Sequence, residues 1–235
     1  MENILFSSSI RVNDAISIHI PTVGEIYDNE DAYYTYALSW LATPYDMMVQ
    51  LEDAHIDFTA INDFQLFLIL FDQIKRMDSS LVFGDLDLSK FVVMQNEANG
   101  EYLVRDPETG VCIDRSLHAL ICKHLRRILN IPRNDKRPGN AEAKRYMLER
   151  ARLKLKRQAR KQRESQLETY IIALVNTEQF PYNYTTVRDM TIYQFYASMG
   201  QISHKIKFDN LMIGYYAGTI KEDSLKAKDK TWVKT

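Results

Sequence analysis

This chain is short of the residues that punctuate and staple a fold. Its 235 residues include eight Gly, six Pro and two Cys. So few turn-formers argue against a many-turned sandwich or barrel and favour helices. Two cysteines supply no disulfide framework, which makes a reducing compartment the expectation. Long hydrophobic runs are missing too. The longest, Leu66 to Phe71, is far too short to cross a bilayer, so no membrane association is expected. The opening residues, Met1-Glu2-Asn3-Ile4-Leu5-Phe6, lack the basic flank and apolar stretch of a signal peptide. There is no Gly-rich phosphate loop, no Gly-x-Ser-x-Gly elbow and no His-Glu-x-x-His. The expectation is a cytoplasmic protein with neither enzyme activity nor cofactor.

What is present is charge sorted into blocks. Residues 1–122 carry six Lys/Arg against twenty Asp/Glu, residues 123–163 carry sixteen against three, and residues 164–235 balance at eight each. The formal net charge of −1 hides a basic segment joined to an acidic body. Such sorting suits an anionic partner, or the acidic part of a neighbouring copy.

A hydrophobic content of 46% is enough for a substantial core. Residues 10–26 alternate apolar and polar around Asn13-Asp14, which predicts a short hairpin. Asn29-Glu30-Asp31 opens a helix to about Leu41, with acid at its positive end. Thr43-Pro44-Tyr45-Asp46 reads as the cap and first turn of the next. The helix over about 59–76 has Phe64, Phe67, Leu68, Phe71 and Ile74 on one stripe, widened by Leu66, Ile69 and Leu70, and is the predicted centre of the N-terminal fold.

Three short β-type runs follow: Phe91 to Met94, Glu101 to Val104, and Val111 to Ile113. Asn99-Gly100 and Asp106-Pro107-Glu108-Thr109-Gly110 separate them as turns, predicting a three-stranded meander. Helical period returns over 116–129. Residues 131–139, with Pro132 and Pro138, form a basic linker. Asn140 then caps a long helix that is sparse in apolar residues to about 165 and strongly striped from Leu167 through Tyr170, Ile171 and Leu174. One continuous helix is expected, its first half solvated and its second half docked. A last helical region starts near Thr186, and Phe208 to Ala217 is expected as a further aromatic turn or short helix stopped by Gly218. The predicted class is mainly α with a small antiparallel β meander (α+β): a helical core plus a long, partly projecting basic helix. The expected organisation is an acidic helical body over 1–130, the linker, and a 140–235 segment whose C-terminal helices pack back on the body.

Candidate chemistry is thin. Asp85 and Asp87 could hold a divalent cation through oxygen, but two acids in a turn are ordinarily a solvated loop. His118 and Cys122 lie one helical turn apart and Cys112 precedes them, an incomplete zinc set. Cys122 adjoins an apolar stripe, where a free thiol behaves as a small hydrophobe. No metal site is expected. The strong signal is ten cations within twenty residues: Lys144, Arg145, Arg150, Arg152, Lys154, Lys156, Arg157, Arg160, Lys161 and Arg163. Phosphate backbones attract such an array without reading sequence. Base stacking would need aromatics, and none occurs between 147 and 169. Pairing with an acidic surface of the same chain, of a second copy or of another protein is the competing reading.

Four strings carry a likeness at the level of the whole chain: Thr43 to Leu51, Phe83 to Leu88, Glu142 to Arg150, and Ile192 to Phe195. Together they resemble a poorly characterised family encoded by tailed phages and prophages of Gram-positive bacteria, over about Ile16 to Trp232. The resemblance implies virion morphogenesis, as a tail assembly chaperone or minor structural protein in the host cytoplasm or the virion. The implied partners are phage structural or assembly proteins; the charge pattern, not the resemblance, gives self-association and nucleic-acid binding by the 140–163 helix as alternatives. It supplies no catalytic residue.

Overall fold

The structure, a computed structural model, describes residues 3–97, 100–160, 164–221, 223, 225–226 and 229–234. Strands β1 (Ser9–Arg11) and β2 (Ser17–His19) pair antiparallel with Ile10 opposite Ile18. Asn13 makes the hairpin turn: its side-chain oxygen accepts from the backbone N–H of Ala15 and Ile16. Where the strand pattern was expected to run on to residue 26, helix α1 (Val23–Asp28) begins instead. Thr22 and Glu25 cap each other's backbone reciprocally, satisfying the N–H groups that a helix start leaves free.

Helix α2 (Glu30–Leu41) buries Tyr33, Tyr36, Ala37, Trp40 and Leu41. The exchange between Thr43 and Asp46 is made, Thr43 donating to the Asp46 carboxylate from both backbone and hydroxyl. It closes a turn, however, and helix α3 (Met48–Asp53) starts beyond it. Helix α4 (Asp63–Ile74) is the central helix that its stripe predicts, opened by an Asn62/Gln65 capping box and burying Phe64, Leu66, Phe67, Phe71 and Ile74. A short α5 (Ser80–Phe83) leads to the meander of β3 (Val92–Gln95), β4 (Tyr102–Arg105) and β5 (Cys112–Ile113). Its Gly100 and Gly110 both have positive φ, as the turns require, and Asn99 lies outside the described residues. Helix α6 (Arg115–Leu129), capped by Asp114, turns Ile121, Leu125 and Ile128 to the core.

The long helix divides. Helix α7 (Ala141–Gln158) is capped by Asn140 as expected, and α8 (Gln166–Val175) is a separate helix capped by Ser165. Glu30, at the start of α2, accepts from the Ser165 hydroxyl and the Leu167 N–H. This anchor gives α8 its own direction and lays Leu167, Ile171 and Leu174 on the core. Helix α9 (Ile192–Tyr216) corrects the two-piece expectation in the other sense: it is one helix of 25 residues. A Thr191/Gln194 capping box opens it, and Thr186–Asp189 is a 3-10 turn ahead of it. Gly218, with φ +73°, follows its end.

Among the described residues the architecture is nine α-helices and two small antiparallel sheets, an α+β fold. One main core gathers the hairpin isoleucines, α2, α4, α6, α8 and the first turns of α9. The backbones of 21–23 and 190–192 are stitched together, Val23 N–H to Met190 O and Ile192 N–H to Pro21 O, both at 2.8 Å. A smaller cluster of Met48, Val49, Leu51, Phe58 and Leu66 lies beside this core. Helix α7 packs there.

Candidate functional site

Helix α7 has no buried residue, yet it is seated. Met147, Leu148 and Ala151 pack on the small cluster under α3. At about 100° per residue these positions share one side of the helix with Lys144. The Lys144 ammonium is 2.7 Å from Asp57 Oδ1 and 5.0 Å from the centre of the Phe58 ring. Hydrogen bonds from Lys144 and then Thr59 hold the Asp57 carboxyl down to about 2. Arg152 pairs with Asp53 at the end of α3. The preceding linker is tied down in the same manner. Arg133 Nε donates to Asp63 at 2.9 Å, Asn134 donates to Asp46 at 2.9 Å, and the Arg126 guanidinium donates to the carbonyls of Leu41 and Pro132. The basic block thus spends part of its charge on the acidic body of its own chain.

The ten cations singled out by the sequence therefore separate. Lys144 and Arg152 face the body. Arg145, Arg150, Lys154, Lys156, Arg157 and Arg160 are exposed and, among the described residues, have no carboxylate within ion-pair distance. Lys161 and Arg163 lie outside the described residues. Two residues of this surface were not singled out by charge: Tyr146 and Leu153, 58% and 56% exposed. Seven residues apart, they share the helix side opposite the docked one. Arg145 and Lys156 flank them on one edge, and Arg150 and Arg157 on the other. Arg150 lies 5.6 Å over the Tyr146 ring. A helical projection of 141–158 would have shown this row, but only knowledge of which side docks makes it an outer face.

His118 and Cys122 meet in the core. The Cys122 thiol is 3.2 Å from the Trp40 carbonyl and 3.4 Å from His118 Nε2, and the imidazole packs among Trp40, Phe64 and Phe67. Burial pushes His118 down to about 4 and Cys122 up to about 12. At neutral pH the pair is an uncharged imidazole beside a protonated thiol, the opposite of an activated nucleophile. It floors a cleft of about 470 Å³ whose rim includes Asp63, Arg115, Lys123 and Arg133. Cys112 stands apart, exposed on β5. Asp87 accepts from the Ser89 N–H and so caps a 3-10 turn. Among the described residues no three His, Cys, Asp or Glu side chains group to hold a metal ion, and no helix is long and apolar enough to cross a membrane.

No curated protein and no solved structure matches the chain. A family model does, over part of it: residues 158–235, from the last residue of α7 through α8, α9 and the C-terminal tail, are similar to the second domain of YomV, a protein encoded by Bacillus phages and prophages.

Proposed function

We propose that the protein is a non-enzymatic phage protein that works through protein–protein contacts in tail or virion assembly, in the host cytoplasm or as part of the particle. In this reading the outer face of α7 takes an acidic protein partner. The likeness of residues 158–235 to the second domain of a phage-encoded protein supports the context. The observation that favours a protein partner is the composition of the face: an exposed Tyr146 and Leu153 between two edges of cations that have no carboxylate partner among the described residues. Apolar and aromatic anchors inside a charged surround are how protein interfaces hold, while the charges set orientation and on-rate. Phosphate binding needs the cations alone. Five cations on α7, and Arg160 just past its end, have no carboxylate partner among the described residues and keep nucleic acid as the second reading.

Two measurements separate these. Fluorescence anisotropy with random-sequence DNA and RNA is expected to show weak binding that disappears as salt rises to the physiological range. Co-expression with the products of neighbouring phage structural genes is expected to yield a complex. That complex should be lost on combined Arg145→Glu, Lys156→Glu and Arg157→Glu, and weakened on Tyr146→Ala with Leu153→Ala. Tight DNA binding with a steep salt slope, indifferent to Tyr146 and Leu153, would assign the helix to nucleic acid instead.

A further inference from the structure

Helix α9 is about 37 Å long, and only its first turns lie in the core. Ile192 and Phe195 are fully buried. Met199 and Ile202 are half-buried against the same core. Beyond them the helix carries the same stripe outward through Ile206, Asp209, Ile213 and Tyr216. From Ile192 to Tyr216 the spacing alternates strictly between three and four residues. That is the spacing of a two-helix seam, in which side chains of one helix fill the gaps between those of another. Ile206, Ile213 and Tyr216 are nevertheless 43%, 67% and 82% exposed.

The described residues of the C-terminal tail are not the missing cover. Their contacts lie on another side of α9. Gln201 donates to the Trp232 carbonyl and accepts from the Lys234 N–H, His204 Nε2 is 2.8 Å from the Thr231 carbonyl, and Ile220 folds onto Gly214. Gly200 is a second close approach: a methyl group added there would meet Lys234 Nζ at 2.6 Å. At about 100° per residue the face of Gly200, His204, Lys207 and Gly214 lies roughly 135° around the helix from the face of Ile202, Ile206 and Ile213. Among the described residues, the tail contacts take one side of the helix and the isoleucine side is left exposed.

We propose that the exposed stripe of α9 pairs with the same stripe of a second copy of this chain, the two helices antiparallel. The charge on the stripe decides both partner and direction. Asp209 is its one charged member, and it pairs with Lys205 on its own helix at 2.6 Å. Two parallel helices in register would set Asp209 against Asp209 in the seam, a like-charge contact. In the antiparallel arrangement that sets Ile202 opposite Ile213 of the second copy, Ile206 meets Asp209. Each Asp209 then has a Lys205 of either chain within reach, and Met199 meets Tyr216. The stripe is thus complementary to itself in one direction only, as a two-fold interface demands. A polar residue within a helical seam is a known device for setting register. This interface is separate from the outer face of α7 and stands or falls without it.

The test is mass in solution with crosslinking, on the full chain. Light scattering at micromolar concentration is expected to give twice the chain mass, and Ile206→Glu with Ile213→Glu to return it to one chain with an unchanged helical spectrum. Should the double variant fold poorly, Ile213→Glu alone, at the more exposed position, is expected to weaken the dimer. Direction is read in a Cys112→Ser background, with the buried Cys122 retained. Mild oxidation of a mixture of Ile202→Cys and Ile213→Cys chains is expected to give a covalent dimer, and neither variant alone to do so. A monomer in wild type, a dimer that survives both glutamate variants, or self-crosslinking of Ile213→Cys alone would each overturn the proposal.

Discussion

His118 lies 2% exposed, its ring centre 4.5 Å from that of Phe67 and 5.8 Å from that of Trp40. Desolvation dominates its titration and holds it at about 4, below the ordinary histidine value near 6.5. The folded protein therefore keeps the imidazole neutral where the unfolded chain protonates it. Its contribution to stability is complete above about pH 6.5 and is lost as pH falls from there toward 4, amounting to about 2 kcal/mol by pH 5. His118→Phe, which keeps an aromatic ring in an aromatic nest, is expected to flatten this part of the pH dependence. Denaturant melts between pH 5 and pH 7 read it directly, and an unchanged slope would remove His118 as the source. At this scale the sequence was informative where partners are near in the chain. Thr43 with Asp46 and His118 with Cys122 are three and four residues apart, and both pairs interact. It was silent where the partner is distant: Trp40, whose carbonyl takes the Cys122 thiol, lies 82 residues away.

At the scale of elements, α7 and α8 differ in what they bury. Helix α7 leans on its neighbours through three half-buried residues and two ion pairs, while α8 buries Leu167, Ile171 and Leu174 in the main core. Local opening follows buried contact, so amides of Ala141–Gln158 are expected to exchange with solvent much faster than those of 167–175. Equal protection in both helices would contradict the difference in burial. The contrast was legible in composition, because apolar positions thin out over 141–160 and return at Leu167. The break between the helices was not. Both flanks favour helix, and the cause is Glu30, more than a hundred residues upstream, meeting Ser165 and Leu167. Likewise α1 hid inside a strand-like alternation until the Thr22/Glu25 box opened it. The reach of α9 was not legible as one helix: the sequence sets 208–217 apart as a separate piece, whereas Gly200 and Gly214 sit inside the helix and lie against Lys234 and Ile220.

Over the whole molecule, the acidic body and basic segment that the sequence sorts into blocks are partly closed on each other. Asp53, Asp57 and Asp63 each hold a cation from residues 133–152. Which cations close and which stay out depends on where Asp53, Asp57 and Asp63 stand in space, and spacing alone does not reveal it. By sequence, Arg152, Lys156 and Arg160 fall one turn apart along one face. In the structure Arg152 is bound to Asp53, and the outward residues are Arg145, Arg150, Lys156 and Arg157. Two triple reversals to Glu therefore have different expected outcomes. Arg145, Lys156 and Arg157 touch no carboxylate among the described residues. Exposed charges of this kind contribute little, so the melting midpoint should hardly move while partner binding falls steeply. Reversal of Arg152, Lys156 and Arg160 sets a new carboxylate beside Asp53. It should loosen α7 from α3, seen as faster amide exchange in 141–158, while the main core keeps its protection. The apolar seat of Met147, Leu148 and Ala151 limits that loss to about 1 kcal/mol, the scale of a partly exposed ion pair turned repulsive. Equal destabilisation by both triples would mean that the outer face of α7 is not free, and the assembly surface proposed for it would have to be sought elsewhere.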